Sequence, residues 1–339
     1  MNMNVVYHSS DLFSPVLATS MISLMENNRA FDSINFYIFE NRISDENKLR
    51  LTEMVESYGR RIVFIPLPDV NAEQHLGLKM IKENWHFDSY IRMFLDIYLP
   101  GELERVLYLD SDTLVVDDLS DLWSLDLKCA PAAISVNCQS KEYYKLFQMS
   151  DSSIYCNSGV VLIDLKEWKR RNIDEKVREI VKANHGYVFF MEQSVLSMVL
   201  QDEAALLPAR YNALSEIINL TYDEIMTLRR PNWYYAKEEI DAARMHPAII
   251  HMTNSFLITN RCWFENTNHP AKDLYRTYYA MTPWKDQPLF PDRRSARKKL
   301  IQAIVDRIPR TILLPMVSLV YNHVRIWKIK ADMKKYARQ

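Results

Sequence analysis

Two periodicities alternate along roughly the first 260 residues of the chain. Val5–Tyr7, Ile34–Phe39, Ile62–Pro66 and Val106–Leu109 are short runs rich in β-branched and aromatic residues, the signature of strands. Between them, Pro15–Glu26, Ser44–Tyr58 and Ser89–Leu99 read as amphipathic helices. Ser44 before Asp45-Glu46-Asn47 predicts a capped helix start. Further strands are expected at Ala132–Val136, Gly159–Ile163 and Ala248–His251, with helices Asp174–Asn184 and Glu192–Leu200 between the last two. This alternation predicts an α/β fold with a mainly parallel sheet covered by helices, and a ligand beyond the carboxyl ends of its strands. Three prolines between Pro283 and Pro291 break the pattern, so the chain divides into 1–282 and a C-terminal segment 283–339. Arg294–Arg307 and Ile312–Lys335 read as helices, the second interrupted near Pro315.

Composition narrows the chemistry. Apolar residues make up 48% of 339 and charged residues 25%, which excludes a chain that is mainly disordered. Only five glycines occur, Gly59, Gly77, Gly101, Gly159 and Gly186, and no two form a Gly-x-Gly. That excludes the dinucleotide fingerprint and the Walker-type phosphate loop, both of which need clustered glycines around a pyrophosphate. Cys129, Cys138, Cys156 and Cys262 have no zinc-like spacing. The first three, among apolar neighbours, read as small core residues, and a reducing compartment is expected. Met1-Asn2-Met3-Asn4 does not read as a secretory signal, and no run reaches the ~18–20 apolar residues of a spanning helix. A cytoplasmic protein is expected.

Charge is unevenly placed. The formal net charge is −1, yet Arg293–Gln339 holds 13 Lys and Arg against Asp306 and Asp332, a local +11. An acidic body thus carries a basic tail, whose Lys and Arg surround Ile304, Ile312, Val317, Ile326 and Trp327. A basic amphipathic helix with Trp suits an anionic membrane surface, here the inner face of the cell membrane. Without a recognition module beside the charge, nucleic acid is not the expected partner.

The most informative stretch is Val106-Leu107-Tyr108-Leu109-Asp110-Ser111-Asp112, an apolar strand running into the chain's single Asp-x-Asp. In extended backbone this spacing points both carboxylates to one face. Two hard oxygen ligands there suit Mg²⁺ or Mn²⁺ shared with substrate phosphates. Asp110-Ser111-Asp112-Thr113 also fits the Asp-x-Asp-x-Thr of haloacid-dehalogenase-like phosphatases, in which the first Asp is a nucleophile. That pattern belongs on a first strand and needs a later acidic pair. Here about 105 residues precede it, and the only Asp-Asp, Asp117-Asp118, is immediately adjacent.

Six collinear segments over about residues 4–270 resemble the retaining glycosyltransferases of family 8, which include glycogenin and bacterial lipopolysaccharide galactosyl- and glucosyltransferases. They are Val5–Asp11, Ser89–Arg92, Val106–Asp112, Tyr155–Ile163, Glu192–Leu196, and Ile250-His251 with Arg261-Cys262-Trp263. The resemblance implies a GT-A-type nucleotide-sugar-binding domain with a mixed, mainly parallel sheet, followed by the basic helical tail. It implies a UDP-sugar donor and a divalent metal, Mn²⁺ or else Mg²⁺. Asp110, Asp112 and His251 match the metal ligands. Tyr7, Ser9 and Asp11 match positions holding uracil and ribose, and Arg92 matches an arginine on the donor sugar or a phosphate. Asn157 and Gly159 match the sugar pocket. Glu192 and Gln193 stand where the family has Asp-Gln, and Gln193 aligns beside the reacting face of the anomeric carbon.

The loop after His251 departs most. Asn254 replaces a glycine, and the basic residue, Arg261, follows an insertion of three residues. Arg261 can still clamp a diphosphate in bidentate fashion. The resemblance implies a UDP-hexose-dependent retaining hexosyltransferase in bacterial surface polysaccharide or glycoconjugate synthesis. Asp112, Glu192 and Gln193 form its catalytic set, and the acceptor is a glycan or lipid-linked sugar. Gln139–Ser153 and Tyr211–Asp241 are the segments expected to shape the acceptor side. The other reading is a catalytically degenerate member that binds a sugar or partner.

Overall fold

A computed structural model describes residues 1–67 and 87–336; Gly77 and Arg338 lie outside the described residues. The strands are β1 (Asn2–Ser10), β2 (Ser33–Asn41), β3 (Arg61–Pro66), β4 (Arg105–Asp110), β5 (Thr113–Val115), β6 (Ala132–Val136), β7 (Cys156–Asp164), β8 (Ala205–Leu206), β9 (Ala213–Leu214) and β10 (Ile249–His251). Seven of them form one sheet in the order β3-β2-β1-β4-β7-β6-β8. β3, β2, β1 and β4 run parallel. β7 is antiparallel to both β4 and β6, and β8 is parallel to β6. The result is an α/β fold around a mixed, mainly parallel sheet.

The connections explain where a ligand belongs. From β1 the chain winds outward through helix Ser14–Asn27, β2, helix Asp45–Ser57 and β3. It then returns to place β4 on the other side of β1. Parallel neighbours whose connections leave in opposite directions open a crevice at their carboxyl ends. His8 pairs with Asp110 across that point.

Strand alternation sorts side chains into two cores. Val5, Tyr7, Leu107 and Leu109 pack on the face covered by helix Ser14–Asn27, whereas Val6, Val106 and Tyr108 pack on the other. The central strands are buried on both faces and hence read as continuous apolar runs. Small hydroxyls on helix Ser14–Asn27 bind it to its neighbours. Ser20 Oγ lies 3.0 Å from Tyr7 Oη and 3.1 Å from Thr113 Oγ1, and Ser23 Oγ accepts from the Val115 N–H.

Ser44 caps helix Asp45–Ser57. The helix expected at Ser89–Leu99 is instead a 3₁₀ stretch, Phe87–Met93, and a single α turn, Leu95–Tyr98. Cys129 differs from its expected core position: it is exposed, next to Lys128, and both residues have positive φ in the turn before β6. Cys138, Cys156 and Cys262 are buried, and all four thiols are free.

The tail comprises helices Ala296–Val305, Arg310–Leu319 and Arg325–Tyr336. The helix runs through Pro315, and the irregularity falls later, as a π turn over Val320–Val324. Helix Ala296–Val305 buries no residue. Beyond it, Leu314, Ile326 and Ile329 join the core on the Val6 face. No described helix is long and apolar enough to cross a membrane.

Candidate active site

Asp110 ends β4 at the crevice, and Ser111-Asp112 forms a turn leading into β5. The two carboxylates converge because of this turn and not because of extended alternation. Ser111 Oγ donates to the His8 carbonyl (2.8 Å), and Thr113 Oγ1 donates to the Asp110 carbonyl (2.8 Å). β5 pairs antiparallel with β10, with Thr113 opposite His251. This small sheet brings a residue about 140 positions away onto the Asp-x-Asp.

Atoms of Asp110, Asp112 and His251 lie within 4.8 Å of one another, the one such potential metal cluster among the described residues. His251 Nε2 faces Asp112 Oδ1 at 3.1 Å and Asp110 Oδ2 at 3.8 Å. On the other side of the ring, Nδ1 lies 3.1 Å from both Asn157 Oδ1 and Asn212 Oδ1. The Asn157 amide is oriented by the Gly159 N–H, which donates to Oδ1. Asn212 Nδ2 also donates to that oxygen and to Ser135 Oγ. Nδ1 thus faces two amide oxygens, and Nε2 faces the two carboxylates. An imidazole with one nitrogen turned to two carboxylates and the other held by amide oxygens fits the ligand set of a divalent cation.

Gly159 serves this arrangement by steric absence. A Cβ there would lie 2.1 Å from His251 Cε1 and 2.8 Å from Asp110 Oδ2. The close approach at this glycine is therefore that of two prospective metal ligands.

Each aspartate pairs with an arginine. Buried Arg92 contacts Asp110 Oδ1 at 2.9 Å, donates to the Ser158 carbonyl, and stacks 4.5 Å from the Tyr108 ring. Burial opposes its charge, but Asp110 outweighs this and pushes the guanidinium pKa up. Arg92 is thus committed to the carboxylate that the resemblance makes a metal ligand. Arg261 pairs with Asp112 Oδ2, bonds Asn254 Oδ1 at 3.0 Å, and lies 5.3 Å from the Trp263 ring. Burial would raise the Asp112 pKa, but His251 and Arg261 outweigh it and hold the carboxyl at about 2.

Two of the clefts lined by Arg261 flank the site. One, of about 360 Å³, lies at the ends of β1 and β4 and includes His8, Ser9, Asp110, Asp112 and Arg261. The other, of about 560 Å³, includes Asn157, Gln193, Asn254 and Arg261. Gln139, Glu216 and Arg229 of the two expected acceptor segments are also in its wall. Glu192 and Gln193 open helix Met191–Leu200, after Phe190 in left-handed backbone. Gln193 Oε1 accepts from Asn157 Nδ2 at 3.2 Å. Burial raises the Glu192 carboxyl to about 7, against the pull of Arg92.

Two residues expected at the nucleotide are engaged elsewhere. Tyr7 lies deeper in β1 than the cleft at the strand ends, is fully buried under helix Ser14–Asn27, and bonds Ser20. Asp11 accepts from the Ser44 N–H and Asn47 Nδ2, both at 2.8 Å, at the start of helix Asp45–Ser57. The Ser44 backbone bond is the main cause that holds its carboxyl below the usual range. Sequence reasoning missed His8 as a cleft residue and Asn212 as a partner of His251. No pattern marks Asn212, whereas His8 stood inside the segment already singled out.

The sequence model for glycosyl transferase family 8 matches residues 4–256. General stress protein A of Bacillus subtilis is 28% identical over 287 residues, 83% of this chain and 94% of that protein. The lipopolysaccharide 1,2-glucosyltransferase of Escherichia coli K12 is 26% identical over 84% of this chain and 79% of its own length. Among solved structures, the galactosyltransferase LgtC in complex with donor and acceptor sugar analogues superposes with a TM-score of 0.69 at 22% identity. It covers 83% of this chain and 96% of LgtC.

Proposed function

Since the chain belongs to glycosyl transferase family 8, we propose that it transfers a hexose, glucose or galactose, from a UDP-sugar to a glycan or lipid-linked acceptor, with retention at the anomeric carbon. The observation that carries this reading is the Asp110, Asp112 and His251 cluster, whose two aspartates line the cleft at β1 and β4. UDP occupies the cleft at β1 and β4, and the acceptor enters the cavity that contains Gln193. A divalent cation, Mn²⁺ in preference to Mg²⁺ given the nitrogen ligand, supplies charge neutralisation at the diphosphate as UDP leaves.

The chain's own residues do the rest. Arg92 and Tyr108 hold Asp110 Oδ1, which leaves Oδ2 toward His251. Arg261 can exchange Asp112 for a diphosphate oxygen and so follow the leaving group. Gln193 is an amide and a poor nucleophile; held by Asn157 it suits orientation of the donor sugar. Front-face attack, with the departing phosphate taking the acceptor proton, is consistent with retention. Glu192 lies beside these groups as a hydrogen-bond partner for donor hydroxyls. The likeness to lipopolysaccharide glycosyltransferases supports a role in bacterial surface polysaccharide or glycoconjugate synthesis.

A thermal-shift screen of UDP-glucose, UDP-galactose and UDP, with Mn²⁺ and with EDTA, tests the reading. A Mn²⁺-dependent shift, with slow hydrolysis of one UDP-hexose, is expected. Asp112→Asn is expected to lower transfer at least about a hundredfold while the protein remains folded. Near wild-type activity would overturn the metal assignment. Mn²⁺·UDP binding without hydrolysis of any UDP-sugar would favour the degenerate reading.

A further inference from the structure

We infer that Arg325, on the C-terminal tail, binds an anionic substituent of the acceptor, a phosphate or a carboxylate, in the cavity that contains Gln193. The inference rests on the reading of that cavity as the acceptor side. Three of its arginines differ in how their charge is met. Arg229 forms a forked pair with Glu216, with contacts of 2.7 and 2.8 Å. Arg261 pairs with Asp112. Arg325 has no carboxylate at ion-pair distance among the described residues. Its polar neighbour on the body is the neutral Tyr143 hydroxyl.

Arg325 is nevertheless held in place. It is half-buried, and its guanidinium lies 4.7 Å from the Phe190 ring, 5.2 Å from Phe189 and 5.6 Å from Tyr321. Stacking fixes the plane of a guanidinium and leaves its N–H edges free to bond. The helix that carries it cannot easily rotate, because Ile326 and Ile329 are buried in the body on its inner face. Withdrawing a charge from water without an opposite charge is unfavourable. A fixed, planar cation in a cavity wall, with the charges of the other two arginines already matched, suits bidentate recognition of an incoming anion. Phe190 immediately precedes the helix bearing Glu192 and Gln193, so the anion would sit on the Gln193 side of the cavity. Neutral sugars need only neutral donors and gain little from such a group.

The test uses the full chain saturated with UDP and Mn²⁺, so that added anions do not compete at the metal cluster. Methyl glucoside, glucose 6-phosphate and glucuronate are titrated and followed by ligand-observed NMR. The wild type is expected to bind one or both charged sugars at least about tenfold more tightly than methyl glucoside at low salt. Which charged sugar is preferred distinguishes phosphate from carboxylate. In Arg325→Gln that preference is expected to vanish, with methyl glucoside as the internal reference; Arg325→Lys is expected to keep part of it. Equal affinity of the wild type for all three sugars overturns the inference, as does a preference that survives in Arg325→Gln. Should Arg325→Gln not fold, the wild-type preference and its retention in Arg325→Lys decide. Failure of UDP and Mn²⁺ to bind at all would instead refute the transferase reading.

Discussion

At the scale of single residues, the imidazole of His251 draws its character from what lies behind it. Two amide oxygens hold Nδ1, and Nε2 is turned to the acidic side. Asn212→Ala removes one of those acceptors and the tether to Ser135. It is expected to weaken Mn²⁺ binding about 10- to 100-fold in a direct titration, with the fold intact. A second histidine supports the first. The Ala271 N–H donates to His269 Nδ1, so Nε2–H donates to Ser215 Oγ, which in turn faces the His251 carbonyl. Burial, with help from Arg261, lowers the His269 pKa from 6.5 to about 4. Between those values the unfolded chain binds the extra proton. The stability due to neutral His269 is therefore complete above pH 6.5 and lost as pH falls toward 4. Relative to pH 7.5, about 2 kcal/mol should be missing at pH 5. Denaturant melts of the wild type and His269→Gln at both pH values measure this, since their difference cancels other groups. Glu192, raised by burial, acts in the opposite sense and loses stability as pH rises from 4.5 to 7.

At the scale of elements, the site depends on one short antiparallel pair. β5 follows directly from the Asp-x-Asp turn, and pairing with β10 sets His251 beside it. Helix Ser14–Asn27 holds β5 through Ser20 and Ser23, so a site residue and a core hydroxyl belong to one network. The junction of tail and body is equally local. Buried Asn322, in the π turn, donates to the Leu228 carbonyl at 3.1 Å and to Ser318 Oγ at 3.0 Å. Asn322→Ala leaves that carbonyl, at the end of helix Tyr222–Arg229, without this donor. A loss of about 1–3 kcal/mol in chemical denaturation is expected, with faster proteolysis of the tail.

At the scale of the whole molecule, one helical segment has two faces with different tasks. Its inner face buries Leu313, Leu314, Ile326 and Ile329. Its outer face leaves Ile312, Met316, Leu319, Val320, Val324 and Trp327 exposed, and Lys328, Lys330, Lys334 and Lys335 follow. We propose that this outer stripe lies on an anionic membrane, drawn there by the +11 of the tail. The full chain is expected to sediment with vesicles containing phosphatidylglycerol and not with pure phosphatidylcholine. Trp327→Glu with Met316→Glu should weaken that binding at least about tenfold, and 0.5 M NaCl should weaken it as well. Equal binding to both vesicle types would refute the proposal. A membrane on the outer face and Arg325 in the cavity wall would let one helix orient the cleft toward a lipid-linked acceptor.

Much of this was legible in the chain itself, because it depends on local order. The β/α alternation, the Ser44 cap and the strand running into Asp110 are written in neighbouring residues, and periodicity alone gives the α/β class. The absence of Gly-x-Gly likewise excluded glycine-loop phosphate binding at once. Other features depend on residues far apart in the chain. Tyr7 lies within the right segment but faces the core, because the cleft opens at the strand end beyond it and helix Ser14–Asn27 covers its position. Gly159 could mark the approach of a ligand or of protein; the His251 ring filling its space decided that. Asn212 carries no signal, since an amide earns its role only from the imidazole it touches. Arg325 read as one more charge in a basic tail until the packing of Ile326 and Ile329 turned it into the cavity wall. Local patterns determined the elements, and contacts across long stretches of chain decided which side chains share a site.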